Sequence, residues 1–364
     1  MQSLFSGIYK DKTVLVTGHT GFKGSWLCFW LKQMGAKVVG YSLEAPTNPN
    51  HFELLNLDIT SIKGNIKDLE HLNTVFQTYK PDIVFHLAAQ ALVKYSYENP
   101  IETYETNVMG TLKVFEASRI NNVKAIVNIT SDKAYENREW IWGYRENDPM
   151  GGYDPYSSSK GCADILATSY RNSFFNIKDY KKTHNTLIAT CRAGNVIGGG
   201  DWAKDRLITD IMISVSIGKK VSIRNPKATR PWQHVLEPLS GYLQIGQKLL
   251  EEKVEFAEAW NFGPSDEGSI TVEQVVQNVK KHWDKIDYEI NKDPNQLHEA
   301  NLLKLDCSKA HILLKWKDVW DSDTTFEKTV KWYKAFYEDE EILTKEDLEE
   351  YVKDAIYKKL EWTI

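Results

Sequence analysis

Tyr156 and Lys160 bound the run Tyr-Ser-Ser-Ser-Lys, four residues apart. On a helix that spacing puts both side chains on one face. An ammonium placed there lowers the pKa of the phenol, which can then take a proton from a substrate hydroxyl near neutral pH. Ser131 follows the apolar run Ala125–Thr130, and its hydroxyl can bond the same substrate oxygen. Asp132 and Lys133 come next, an acid and a base side by side. Taken alone, such neighbours are either solvated loop charges or a second proton-moving pair.

A second segment, Thr17–Gly24, reads TGHTGFKG, with glycines at 18, 21 and 24. Glycines so spaced allow a tight turn, close approach of a pyrophosphate and close packing of a helix on a strand. The helix N-terminus then offers free N–H groups and its positive dipole end to the phosphates. The expected ligand is a nicotinamide dinucleotide, and with a tyrosine–lysine pair the expected chemistry is hydride transfer at a hydroxyl-bearing carbon.

These residues need a scaffold. Thr13–Thr17, Lys37–Tyr41, Ile83–Ala88, Ala125–Thr130 and Thr186–Cys191 are short apolar runs that read as buried strands. Phe22–Met34, Ile101–Asn121 and Ser157–Asn172 have helical spacing. Strands alternating with helices predict an α/β fold, a Rossmann-type doubly wound parallel sheet. After Cys191 the pattern breaks into loops rich in glycine and charge at 192–206 and 224–231, with helical segments near 205–217, 233–251, 271–284 and in the tail after 322. The expected division is a dinucleotide-binding domain over 1–191, rejoined by about 232–263, and a smaller, mainly C-terminal substrate-binding lobe from 192–231 and 264–364.

Composition narrows the partners. With 45 basic and 50 acidic residues the net charge is −5, so a nucleic acid is an unexpected partner. An anionic small molecule would need a local cluster of cations, and Arg192, Lys204, Arg206, Arg224 and Arg230 stand in the two loops. The four cysteines are far apart and form no C-x-x-C, so neither disulfides nor zinc nor another metal is expected, and a cytoplasmic setting fits. No apolar run approaches the roughly 20 residues of a membrane helix. The N-terminal MQSLFSGIYKDK is too short and polar to read as a signal peptide.

The glycine spacing G-x-x-G-x-x-G, His86-Leu87-Ala88-Ala89-Gln90 at a strand end, Asn107 in TNVMGT and the Tyr156/Lys160 pair resemble the extended short-chain dehydrogenase/reductase superfamily. Ser131-Asp132-Lys133 narrows this to nucleotide-sugar 4,6-dehydratases, whose CDP-glucose branch carries Asp-Lys where other branches carry Asp-Glu. NITSDKAYENREWIWGYREN at 128–147, MGGYDPYSSSKGCA at 150–163, RAGNVIGGGDWAKDRLI at 192–208 and RPWQHVLEPLSGY at 230–242 are similar to that branch. The resemblance runs to about residue 335.

It implies NAD as a tightly held cofactor, contacted by Gly18, Thr20, Gly21, Phe22, Lys23, Gly24, Asn65, Ile66, Ala88, Ala89, Gln90, Asn107, Thr130, Tyr156 and Lys160. One position departs: the second strand ends at Ser42 where an acidic residue usually holds the adenosine ribose, although no arginine stands there for a 2′-phosphate. The implied reaction oxidises C4 of CDP-glucose, which makes the C5 proton acidic. Lys133 then removes that proton, Asp132 protonates the departing 6-hydroxyl, hydride returns to C6 and a proton returns to C5. The product is CDP-4-keto-6-deoxyglucose, a precursor of deoxysugars in surface polysaccharide such as O-antigen. For the substrate, Asn195, Arg206 and Arg230 are implied at the pyrophosphate, with Lys204 and Arg224 nearby and Trp202, Trp232 and His234 at the base or ribose. His298 and Glu299 are further candidates. A homodimer through helices 101–121 and 157–172 is implied as well. An epimerase would share the glycines and Tyr156/Lys160 without needing Asp132 and Lys133, and a non-catalytic NAD-binding sensor would not need the tyrosine or lysine.

Overall fold

The computed structural model describes residues 1–223, 226, 228–264, 269–291 and 302–364. The strands are β1 (Thr13–Thr17), β2 (Lys37–Ser42), β3 (Thr60–Lys63), β4 (Ile83–His86), β5 (Ala125–Ile129), β6 (Leu187–Ala193), β7 (Asn195–Ile197), β8 (Val221–Ile223), β9 (Thr229–His234), β10 (Ala259–Phe262), β11 (Ser269–Thr271) and β12 (Tyr288–Ile290). Seven of them form one sheet in the order β3-β2-β1-β4-β5-β6-β10, with every neighbouring pair parallel. β4, β5 and β6 are buried along their whole length. That is why they read as unbroken apolar runs and not as alternating ones: parallel strands are covered on both faces.

Trp26 and Trp30 of helix Phe22–Gln33 and Leu239 and Leu243 of helix Leu236–Leu250 pack on one face. Val75 and Phe76 of helix Leu69–Tyr79, Val114 and Phe115 of helix Thr111–Ile120 and Tyr170 of helix Pro155–Asn172 cover the other. A separate core holds Ile211, Met212, Val275, Val279, Trp332 and Tyr333 beside two small sheets, β11-β9-β7 and β12-β8. This second core is smaller than that of the large sheet.

Two expectations change. The stretch Ile101–Asn121 is not one regular helix: helix Pro100–Tyr104 passes through a wider, i→i+5 turn at Glu105–Gly110 before helix Thr111–Ile120. There Gly110 lets the turn approach Ile66, whose Cδ1 would lie 2.5 Å from an added Cβ. The tail is also divided. Trp332 and Tyr333 of helix Ser322–Asp339 belong to the smaller core, but Ala310, Leu314 and Trp316, then Tyr351 and Val352 of helix Thr344–Tyr357 and finally Trp362, pack into the core of the large sheet. Helical spacing shows that the tail has an apolar stripe. It does not show which core the stripe covers.

Candidate active site

The carboxyl ends of β1, β4 and β5 open on a cleft of 1470 Å³ between the large sheet and the smaller core. Single small-molecule pockets run to about 1,000 Å³, so this cleft has room for two ligands side by side. At its floor, Gly18 follows β1 with φ +74, and an added Cβ would lie 2.8 Å from the Ala88 backbone. At Gly24 a Cβ would lie 2.1 Å from the Gly18 carbonyl oxygen. Helix Phe22–Gln33 begins at Gly21 without a side-chain cap, which leaves first-turn N–H groups for a ligand. The cradle fits a dinucleotide pyrophosphate.

Thr20, Phe22, Lys23, Asn65, Ile66, Ala88, Ala89, Gln90 and Thr130 line the same cleft. Asn107 stands behind it. Its amide accepts from Gln90 N at 2.8 Å and donates to Gln90 O at 2.9 Å and to Ser159 Oγ at 2.8 Å, so it ties the β4 loop to the helix that carries Ser159. Ser42 bonds Thr20 Oγ1 at 2.8 Å and His19 Nδ1 at 3.0 Å. Glu44 is turned to an ion pair with Lys63, a partner that sequence distance concealed.

Helix Pro155–Asn172 starts where Asp154 accepts from Ser157 N at 2.9 Å and Pro155 takes the first turn. It carries Tyr156 and Lys160, both buried, into the cleft. Ser131, Asp132 and Lys133 enter from the end of β5. The expected depression of the Tyr156 phenol is not found. Burial pushes it up to about 12, against its hydrogen bond with Ser131 and the charge of Arg206. Lys160 turns its Nζ to Ile129 O at 3.3 Å, and burial lowers it to about 8. Asp132 Oδ1 accepts from Ser131 Oγ at 2.9 Å and Lys133 N at 2.8 Å. Burial still raises its pKa above the ordinary carboxylate value, with the charge of Lys133 as the main opposing influence. Among the described residues no group of His, Cys, Asp and Glu is arranged to hold a metal.

On the side of the smaller core Asn195, Trp202, Lys204, Arg206 and Trp232 line the cleft. Arg206 is already paired, Nη1 to Asp201 Oδ2 at 2.5 Å. Trp202 donates to Tyr337 Oη at 2.9 Å and packs edge-on to Trp332 and Tyr333, so most of its ring is committed to the core. Two candidates move elsewhere. His234 is fully buried between Trp26 and Trp320, and burial lowers its pKa to about 3, so it is a neutral packing residue. Arg192 is locked to Asp164 beneath the cleft and offers nothing to a phosphate. Arg224, His298 and Glu299 lie outside the described residues, and only the backbone of Arg230 is described, on β9. The sequence reading missed Tyr333 and Tyr337, which reach the cleft from helix Ser322–Asp339. Their signal, a Trp-Tyr-x-x-x-Tyr repeat at helical spacing, is the same as that of any packed helix.

The sequence model of the GDP-mannose 4,6 dehydratase family matches residues 15–331. The chain belongs to this family of sugar-nucleotide dehydratases. Within it, the chain is 54% identical to CDP-glucose 4,6-dehydratase of Salmonella typhimurium, over 94% of this chain and 97% of that one. In fold, this dehydratase-family chain is similar to UDP-glucose 4-epimerase of Thermotoga maritima, with TM-score 0.76 and 22% identity over 90% of this chain and all of that one. It is similar also to dTDP-glucose 4,6-dehydratase of Bacillus anthracis, solved in complex with NAD, with TM-score 0.72 and 23% identity over 89% and 96%.

Proposed function

We propose that this protein is an NAD-dependent hydro-lyase that converts CDP-glucose to CDP-4-keto-6-deoxyglucose. The observation that carries the reading is the buried carboxyl of Asp132, its pKa raised by desolvation, set beside Ser131 in the cleft that also holds Tyr156, Lys160 and the glycine cradle. A redox step alone needs no second acid. Identity of 54% to a CDP-glucose 4,6-dehydratase supports the choice of nucleotide.

Gly18–Gly24, Asn65, Ile66 and Ala88–Gln90 would hold NAD, which would supply the hydride acceptor for C4 and the donor for C6. The protein's own groups do the rest. Ser131 orients the 4-hydroxyl and Tyr156 takes its proton. Lys133, half-buried at the cleft wall, takes the C5 proton once C4 is a ketone and gives a proton back to C5 as hydride reaches C6. Asp132 gives its proton to the leaving 6-hydroxyl. Asn195, Lys204 and Arg206, with Arg224 and Arg230, receive the pyrophosphate, and Trp202 and Trp232 border the nucleoside.

The same reading makes the protein a cytoplasmic homodimer acting in deoxysugar formation for surface polysaccharide. Exposed Ile101, Met109 and Ile165 on the two helical stretches support the dimer. No described helix is long and apolar enough to cross a membrane, and all four cysteines are free.

The test is turnover of CDP-, dTDP-, UDP- and GDP-glucose with NAD and no NADH. The expected product from CDP-glucose is one water lighter. An unchanged mass with inverted stereochemistry would show an epimerase, binding of NAD without turnover would show a sensor, and a strong preference for dTDP-glucose would overturn the choice of nucleotide.

A further inference from the structure

Beneath the catalytic floor lies a charge pair that the reaction as described does not use. Asp164 stands one turn after Lys160 on helix Pro155–Asn172, so both side chains leave the same face. Arg192, on β6, meets its carboxylate in a two-pronged pair, Nε to Oδ2 and Nη2 to Oδ1, each 2.7 Å. The two side chains are 3% and 1% exposed. Asp164 Oδ2 also accepts from the Thr130 hydroxyl at 3.0 Å, and Thr130 immediately precedes Ser131. The free prong of Arg192, Nη1, donates to Tyr135 Oη at 2.6 Å and to Glu146 O at 3.0 Å. Tyr135 closes the turn that carries Asp132 and Lys133. One buried pair therefore grips both ends of the Thr130–Tyr135 segment and the helix that bears Tyr156 and Lys160. A buried ion pair is a poor source of stability, since apolar replacements are often neutral or stabilising. Stability alone does not account for it.

We propose that Asp164 and Arg192 are positioning residues of the catalytic centre: Arg192 locks Asp164, and Asp164 both fixes Thr130 at the mouth of β5 and supplies the negative charge that faces Lys160. This rests on Tyr156 and Lys160 being the redox pair. Lys160 is faced by Tyr156 and Asp164 on its own helix, by Lys23 from the glycine cradle and by His86 of β4. His86 is kept neutral by burial, which takes it to about 3, and Lys23 is a like charge. Asp164 is the charge that opposes the effect of burial on Lys160. Asp164 itself is faced by Arg171, Cys191 and Arg192. Loss of its charge lowers the pKa of Lys160, so the ammonium is given up at a lower pH.

The experiment compares wild type, Asp164→Asn and the charge-free double variant Asp164→Asn/Arg192→Gln, reading kcat, KM for CDP-glucose at saturating NAD, the pH profile of kcat and the melting temperature. In Asp164→Asn, kcat is expected to fall about tenfold or more, as displacement of reacting groups by a fraction of an ångström requires. KM stays within about twofold, and the alkaline limb moves down by about one pH unit, the size of a single lost charge interaction. The double variant is expected to regain melting temperature but neither kcat nor the limb. Wild-type kcat with an unshifted limb in the double variant would show that the pair only fills space, and would overturn the proposal. Should neither variant fold, Thr130→Val decides: it moves no charge, and a lowered kcat with an unshifted limb is expected, whereas wild-type kcat would overturn it. Wild-type turnover in Tyr156→Phe would instead remove the redox-pair reading itself.

Discussion

Asp132 and Lys133 are neighbours in sequence, yet their surroundings differ. Asp132 is 5% exposed and burial raises its pKa, which suits a proton donor, whereas Lys133 is half-buried at the cleft wall. Gly194 keeps room for that acid, since a Cβ there would lie 3.3 Å from Asp132 Oδ2. The division of roles gives a direct expectation. Lys133→Ala should abolish exchange of the C5 proton with deuterated water while NAD still binds, and normal exchange in that variant would refute the base role. The Tyr-x-x-x-Lys and Ser-Asp-Lys groupings were legible because each lies within one short segment whose local geometry follows from spacing. The direction of the Tyr156 shift was not legible. It depends on how much solvent the fold removes, and burial outweighs the nearby charges.

Helix Ser322–Asp339 lines the cleft on the side of the smaller core through Tyr333 and Tyr337. Tyr333 Oη donates to Asp201 O and accepts from Asp201 N, and Asp201 in turn holds Arg206. Loss of that hydroxyl loosens the loop that carries Arg206. Tyr333→Phe is expected to raise KM for CDP-glucose by about tenfold, the equivalent of one or two hydrogen bonds, and to leave the affinity for NAD unchanged in titration. A fall in NAD affinity instead would place Tyr333 in the wrong half of the site.

The next helix, Thr344–Tyr357, buries Asp347, whose pKa is raised to about 7 by desolvation, with Lys328 opposing. Among the described residues its Oδ2 has no hydrogen-bond partner. A raised pKa means the folded state binds the extra proton, so its stabilising effect is full below about pH 4, the unfolded value, and is lost as pH rises through about 7. Asp347→Asn should therefore be neutral near pH 4 and become stabilising towards pH 8, by at most about 4 kcal/mol. Denaturant melts at the two pH values check this, and equal effects at both would contradict it.

At the scale of the whole molecule, the two ends of the chain share one core. Trp362 stacks on Phe5 at 5.2 Å and on Tyr351 at 6.0 Å, and Ser6 N donates to Ile364 O. Trp362→Ala empties a fully enclosed site and is expected to cost about 3–5 kcal/mol in denaturant melts. It does not line the cleft, so kcat of the folded fraction should hold. A cost below about 1 kcal/mol would mean that the tail is not part of the cooperative unit.

By itself the sequence determined what short-range physics controls: the buried parallel strands, the glycine cradle, the helical stretch Ser157–Asn172, and the Tyr156/Lys160 and Ser131-Asp132-Lys133 groupings that lie on or beside those elements. The tertiary structure decided which distant segments meet. It sent His234 and Arg192 inward, brought Tyr333 and Tyr337 to the cleft, divided the tail between two cores and set Asp164 under Lys160 with Arg192 as its partner. Spacing fixes the face a side chain occupies on its own element. Only packing fixes what that face meets and how much water is left there, and those two quantities set charge and chemistry.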